Sequence, residues 1–166
     1  MPNNVLVKYG SKQTITAAVA SLASDTNLLA GIESSVIDNT TDGFWDIIVS
    51  GKVTTGTSPT ASRQIEVWAI AWDGANYPDT MDGTSSSETI TSADIKNSIC
   101  KYIATMSTNN TSDRPYHFTG VSLRGAFGNC LPSKVVLFIV HNTGVALNAT
   151  AGNHEFSYYG EYPQIQ

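Results

Sequence analysis

The chain has 166 residues, 41% of them hydrophobic and only 14% charged, against roughly 25% charged in ordinary globular proteins; at this length about 70% of the unfolded surface can be buried, enough for one domain without staples. The formal net charge of −5 and the lack of any Lys/Arg-rich run argue against a nucleic-acid partner, which needs clustered cations. Few Glu, Lys and Arg are present to pair along helices, whereas Thr, Ser, Asn and Gly suit strands and turns, so a helical bundle is disfavoured and β-structure expected.

Met1 to Lys12 reads as a polar, extended N-terminal arm outside the core pattern, with Val5, Val7 and Tyr9 as candidate contact residues. It has no basic segment followed by a continuous apolar stretch, so neither a signal peptide nor a membrane span is expected, and no membrane partner. Residues 13–166 are expected to form a single β-sandwich domain of about eight strands. The first strand runs from Gln13 to Leu22, where Ile15, Ala17 and Val19 alternate with Thr14, Thr16 and Ala18. A second spans Ala30 to Ile37.

Phe44 to Thr54 gives the clearest alternation, with Trp45, Ile47, Val49, Gly51 and Val53 on the apolar face. Arg63 to Trp72 follows, with Ile65, Val67, Ala69 and Ala71 on one face and Glu66, Trp68, Ile70 and Trp72 on the other; here either both faces are covered or one displays aromatics. Asp73 to Ser87 is rich in Gly, Asp, Ser and Pro and reads as a long surface loop. Thr91-Ser92-Ala93-Asp94 then fits a capping box, predicting the one short helix before strand resumes over Ser98 to Ser107.

Further strands are expected at Tyr116 to Leu123, Lys134 to Asn142 and His154 to Tyr162. Val135 to Val140 is continuously apolar, the pattern of a central strand covered on both faces. Eight strands of this kind fit two packed antiparallel sheets, with a jelly roll as the leading topology.

Chemistry is sparse. His117, His141 and His154 accompany many serines, but no Gly-x-Ser-x-Gly elbow is present and spacing pairs no Ser with a His, so no catalytic residue is assigned and no enzyme expected. Asp73, Asp79 and Asp82 crowd one loop yet lack the ligand order of a calcium hand, and turn formation accounts for them; no metal and no cofactor is expected. Cys100 and Cys130 have no metal-ligand spacing and read as two buried reduced thiols, a disulfide remaining open. The candidate interface or ligand loop is Trp72, Asp73, Asn76, Tyr77 and Asp79, where aromatic faces beside Asp and Asn suit either packing at an interface or stacking on a sugar.

Several segments carry a resemblance: Tyr9-Gly10-Ser11, Leu22-Ala23-Ser24, Asp38-Asn39-Thr40-Thr41-Asp42, Thr55-Gly56-Thr57-Ser58-Pro59-Thr60-Ala61, Trp72-Asp73-Gly74-Ala75-Asn76-Tyr77-Pro78, Ala126-Phe127-Gly128, Leu131-Pro132 and Asn142-Thr143-Gly144-Val145-Ala146-Leu147. Together, over nearly the whole chain, they resemble a family of small phage-encoded virion structural proteins. The family pattern has a small pair such as Gly-Val where this chain has Asn129-Cys130. The resemblance implies a particle component assembled in the host cytoplasm. For a small acidic jelly roll, that means a capsid cement or decoration protein whose partner is the major capsid protein, acting as a homo-oligomer, a trimer or dimer. The alternative it leaves open is a tail or fibre module that binds host-surface glycan.

Overall fold

The computed structural model describes residues 5–165. Eleven strands form two antiparallel sheets: β1 (Val5–Tyr9), β2 (Gln13–Thr14), β11 (Glu155–Ile165), β5 (Asp46–Thr54) and β9 (Pro115–Ser122) in sheet A, and β7 (Ser87–Thr89), β3 (Ala30–Glu33), β4 (Ile37–Asp38), β10 (Lys134–His141), β6 (Arg63–Ala71) and β8 (Cys100–Thr108) in sheet B. Sheet A runs β1-β11-β5-β9 with β2 beside β1 on the same edge of β11, and sheet B runs β7-β3-β10-β6-β8 with β4 beside β3 on β10. The expected all-β sandwich is therefore present.

The alternation read from the sequence explains the core. Ile47, Val49 and Val53 of β5 meet Ile65, Val67 and Ala69 of β6 and Val135, Leu137 and Ile139 of β10 between the sheets. Gly51 shares the inward face of β5, and its missing side chain leaves room for the rings of Phe118 and Phe156, which pack 6.4 Å apart; a Cβ there would lie 2.5 Å from Phe118 and 2.8 Å from Phe156.

Both faces of β6 and β10 are covered. Ile70, Val136, Phe138, Val140 and Cys100 form a second apolar layer on the outer side of sheet B, closed by Met81, Ile90 and the half-buried Tyr77, Ile95 and Ile99. The segment between β6 and β8 thus folds back as a cover. It contains the expected helix, α1 (Ala93–Ile99), whose N-cap Ser92 accepts the Ile95 N–H.

Departures from the sequence pattern have local causes. Gln13 to Leu22 keeps its alternation, with Ile15 and Val19 buried, but only Gln13–Thr14 is strand. Beyond it the Thr16 and Ala18 N–H groups donate to the hydroxyls of Ser35 and Ser85, not to a neighbouring strand. Ala30 to Ile37 splits into β3 and β4 because the Ser34 hydroxyl accepts the Leu137 N–H at 2.9 Å and so replaces a ladder carbonyl.

A second helix, the single-turn α2 (Leu123–Ala126), follows β9 where only one helix was expected, and is capped by the Ser122 hydroxyl. After it Gly128 and Asn129 both take left-handed conformations, φ 70° and 69°. This turn carries Cys130 to the surface; the expectation of two buried thiols holds for Cys100 alone, and both are free. Trp45, expected on the inward face of β5, lies ahead of the strand and is 53% exposed, while Phe44 takes the inner position against Gly160.

Candidate functional site

The loop after β6 begins where the Trp72 N–H donates to the Lys134 carbonyl, with the Lys134 ammonium 5.1 Å from the centre of the indole ring. Asp73 then closes a tight turn, its Oδ1 accepting the N–H groups of both Ala75 and Asn76 at 2.7 Å, and these bonds hold its carboxyl below the usual range. Asp79 straps the loop to the start of α1 by accepting both the N–H and the hydroxyl of Thr91. Both carboxylates are therefore engaged in shaping the chain.

Trp72, Asn76 and Tyr77 do come together, lining one open depression with Ala75, Met81 and Asp82. The Tyr77 ring lies over Gly83, and its buried hydroxyl has no partner among the described residues; burial, with the negative charges of Glu33 and Asp38, pushes that hydroxyl up to about 12.

Asp82 does not group with Asp73 and Asp79 but with Glu33 and Glu88, their oxygens lying within 4.8 Å of one another. Glu33 is wholly buried, and its two oxygens accept the N–H groups of Asp82 at 3.0 Å and Gly83 at 2.8 Å. Burial raises the Glu33 carboxyl above its ordinary value. The arrangement braces the loop on β3. Glu33 carries no local signal in the sequence, since a lone Glu at the end of an apolar strand reads as an exposed terminus.

The histidines sit apart from one another. His141 is buried, its Nε2 donating to the Leu22 carbonyl at 3.0 Å while Nδ1 meets the Thr143 hydroxyl at 2.9 Å. His154 accepts the Thr54 N–H at Nδ1, which leaves the proton on Nε2 for the Asn148 carbonyl. His117 is exposed on the outer face of sheet A, in one cross-strand row with Lys52 and with Glu155, which pairs with Lys12. Among the described residues no serine hydroxyl bonds a histidine ring.

The candidate arm residues lie in β1, at an edge of sheet A. β1 pairs with β11 from Val5↔Ile165 to Tyr9↔Glu161, while β5 leaves β11 at Asp46↔Glu161. Val5–Lys8 and Tyr162–Ile165 therefore form a two-stranded ribbon reaching past the sandwich. Val5, Val7 and Tyr9 share its outer face, 59%, 54% and 64% exposed, and Tyr9 meets Tyr159 edge-on at 5.7 Å. On the inner face Tyr162 packs against Phe44 at 6.1 Å. Beside its base an open groove is lined by Phe44, Trp45, Leu131, Arg124, Asn129 and Cys130.

Among the described residues seven large hydrophobic side chains are exposed, Val5, Leu6, Val7, Tyr9, Trp45, Tyr102 and Tyr162, and all but Tyr102 belong to this end. Of these Trp45 had been expected on the inward face of β5. Their exposure follows from where β5 stops pairing, which no single-strand alternation encodes. Among the described residues no helix is long and apolar enough to cross a membrane. Comparison with known proteins finds no matching family model, curated protein or solved structure.

Proposed function

We propose that the chain is a non-enzymatic structural protein of a phage particle, a cement or decoration protein that binds the major capsid protein and stabilises the shell, acting as a homo-oligomer within the virion. The observation that carries this reading is the crowding of six exposed large apolar side chains onto one end of a chain otherwise rich in uncharged polar residues. Patches of that kind are adhesive protein surfaces, and repetition over a symmetric shell multiplies a modest contact. The strand orders β2-β11-β5-β9 and β3-β10-β6-β8 support describing the sandwich as a jelly roll. The chain-wide likeness to small phage virion proteins supports the same class.

Copy number in purified particles tests the proposal. Hundreds of copies on the head, with occupancy lost on deleting residues 1–12 or on Trp45→Ala, is the expected result; a handful of copies at the tail or neck, or none, would overturn it.

A second reading, a tail or fibre module binding host-surface glycan, is favoured by one observation: Trp72, Asn76 and Tyr77 line the same open depression. Binding on a glycan array that disappears with Trp72→Ala and Asn76→Ala would replace the first reading with this one.

A further inference from the structure

Edges of β-sheets invite pairing unless something blunts them. Most edges of this sandwich are blunted. β9 starts at Pro115 and pairs through an irregular register, β8 pairs with β6 across a register shift and displays Lys101, and β7 has three residues with Glu88 in the middle. β1 is the least protected of them: its five residues pair with β11 without a shift and contain no Pro, and its one charge, Lys8, lies with Leu6 on one face, leaving Val5, Val7 and Tyr9 alone on the other.

The hydrogen-bonding phase of β1 follows from its far end, where the Gly10 N–H donates to the Gly160 carbonyl at 2.8 Å. In an antiparallel ladder alternate residues face the same neighbour, so Leu6 and Lys8, like Gly10, direct their backbone groups at β11. The N–H and carbonyl groups of Val5, Val7 and Tyr9 therefore point to the open side. Among the described residues these three donors and three acceptors have no backbone partner along this apolar edge.

We propose that β1 is the self-association strand of the protein, pairing antiparallel with β1 of a second copy about a two-fold axis through Val7. Centred there, Val7 opposes Val7 and Val5 opposes Tyr9, so all six backbone groups of each edge find partners and the outer apolar face runs on unbroken across both copies. The register also suits the charges: Lys8, the one charged residue of β1, falls opposite Leu6 and not opposite its own copy, where like charges would repel. A five-residue edge buries less than the roughly 800 Å² per partner of a standard interface. The pair is thus a weak, concentration-driven dimer, strengthened where copies are held close together. It holds whether the particle contact is with the shell or with a glycan.

Sedimentation equilibrium of the full chain up to about 1 mM, a concentration that detects even millimolar dissociation constants, combined with amide exchange, tests this. A reversible dimer is expected, with the N–H groups of Val5, Val7 and Tyr9 gaining protection as concentration rises. Val7→Pro removes one outward donor while leaving the bonds to β11 intact, and Val7→Lys sets two ammonium groups against each other. Each variant is expected to weaken association at least tenfold with thermal unfolding of the monomer retained. A chain that stays monomeric throughout, a dimer unaffected by both variants, or protection arising elsewhere would overturn the proposal.

Discussion

The ammonium of Lys96 on α1 lies 2.7 Å from the carboxylate of Glu66 on β6, beneath the cover of sheet B, with both side chains almost wholly withdrawn from water. Lys96 also donates to the Leu28 carbonyl and sits 4.8 Å over the Trp68 ring, while Glu66 accepts from Gln64 and from the Trp68 indole. The pair pins the helix to the sheet. Lys96→Met leaves a buried carboxylate without its counter-charge and is expected to cost about 3–5 kcal/mol; the urea unfolding midpoint measures it. Lys96→Met with Glu66→Gln is expected to recover part of that loss, and a double variant as unstable as the sum of the singles would refute the coupling.

Gly160 is the seat of the Phe44 ring, and a Cβ at that position would overlap the ring atoms directly. Gly160→Ala is expected to destabilise by about 1–3 kcal/mol through overpacking. In a Phe44→Ala background the same change is expected to cost much less, because nothing then occupies the space. Equal costs in both backgrounds would mean that Phe44 is not the obstacle.

The two thiols differ in reach. Cys130 is exposed, whereas Cys100 is buried and its thiol is pushed up to about 12, chiefly by burial. A thiol reagent near neutral pH is expected to titrate one cysteine in the native protein and both in denaturant, and Cys130→Ser to abolish the native reaction. Fast labelling of both thiols in the folded chain would contradict the placement of Cys100.

Acid sensitivity follows from His141 and His154, both held below the ordinary histidine value of 6.5, first by burial. The unfolded chain takes up these protons near pH 6.5 and the folded chain only at lower pH. Their contribution to stability is therefore complete above pH 6.5 and lost as pH falls toward the folded values. Glu33 has the opposite sign: its carboxyl is raised above 4.5, so its contribution is greatest below that value and declines as pH rises through the folded one. Urea midpoints are expected to drop between about pH 7.5 and about pH 5.5. His154→Ala should lower the midpoint at the upper pH and flatten the slope; an unchanged slope would remove His154 from the account.

What the sequence disclosed was what short-range pattern encodes. The alternation of Asp46–Thr54 and the apolar run of Val135–Val140 placed the central strands because burial on one or two faces leaves a direct imprint on residue order. The start of α1 was legible to within a residue, its N-cap being Ser92, one position past the Thr91 that heads the Thr91-Ser92-Ala93-Asp94 box. The ribbon was not, since Val5, Val7 and Tyr9 could be named as an exposed arm, but pairing with β11 joins residues at opposite ends of the chain. The ligand loop was half legible: Trp72, Asn76 and Tyr77 meet, while the carboxylates of Asp73 and Asp79 bind backbone groups that only the folded turn presents. Glu33 escaped notice because its partners, Asp82 and Gly83, lie some fifty residues further along.

The cover over sheet B gives the molecule two cores of unequal size, and hence two rungs of unfolding. The segment between β6 and β8 is fastened to the rest by the short β7 ladder on β3, the Lys96 to Glu66 pair, the Glu33 brace and a small set of apolar side chains, so it is expected to open at a lower free energy than the sandwich, and amide exchange would show its N–H groups exchanging ahead of those of β5 and β10. Such opening bares Val136, Phe138 and Val140 along the central strand, a continuous β-prone surface. If that smaller unit opens first, the clasp at Glu66 becomes the point at which resistance to aggregation on storage is won or lost.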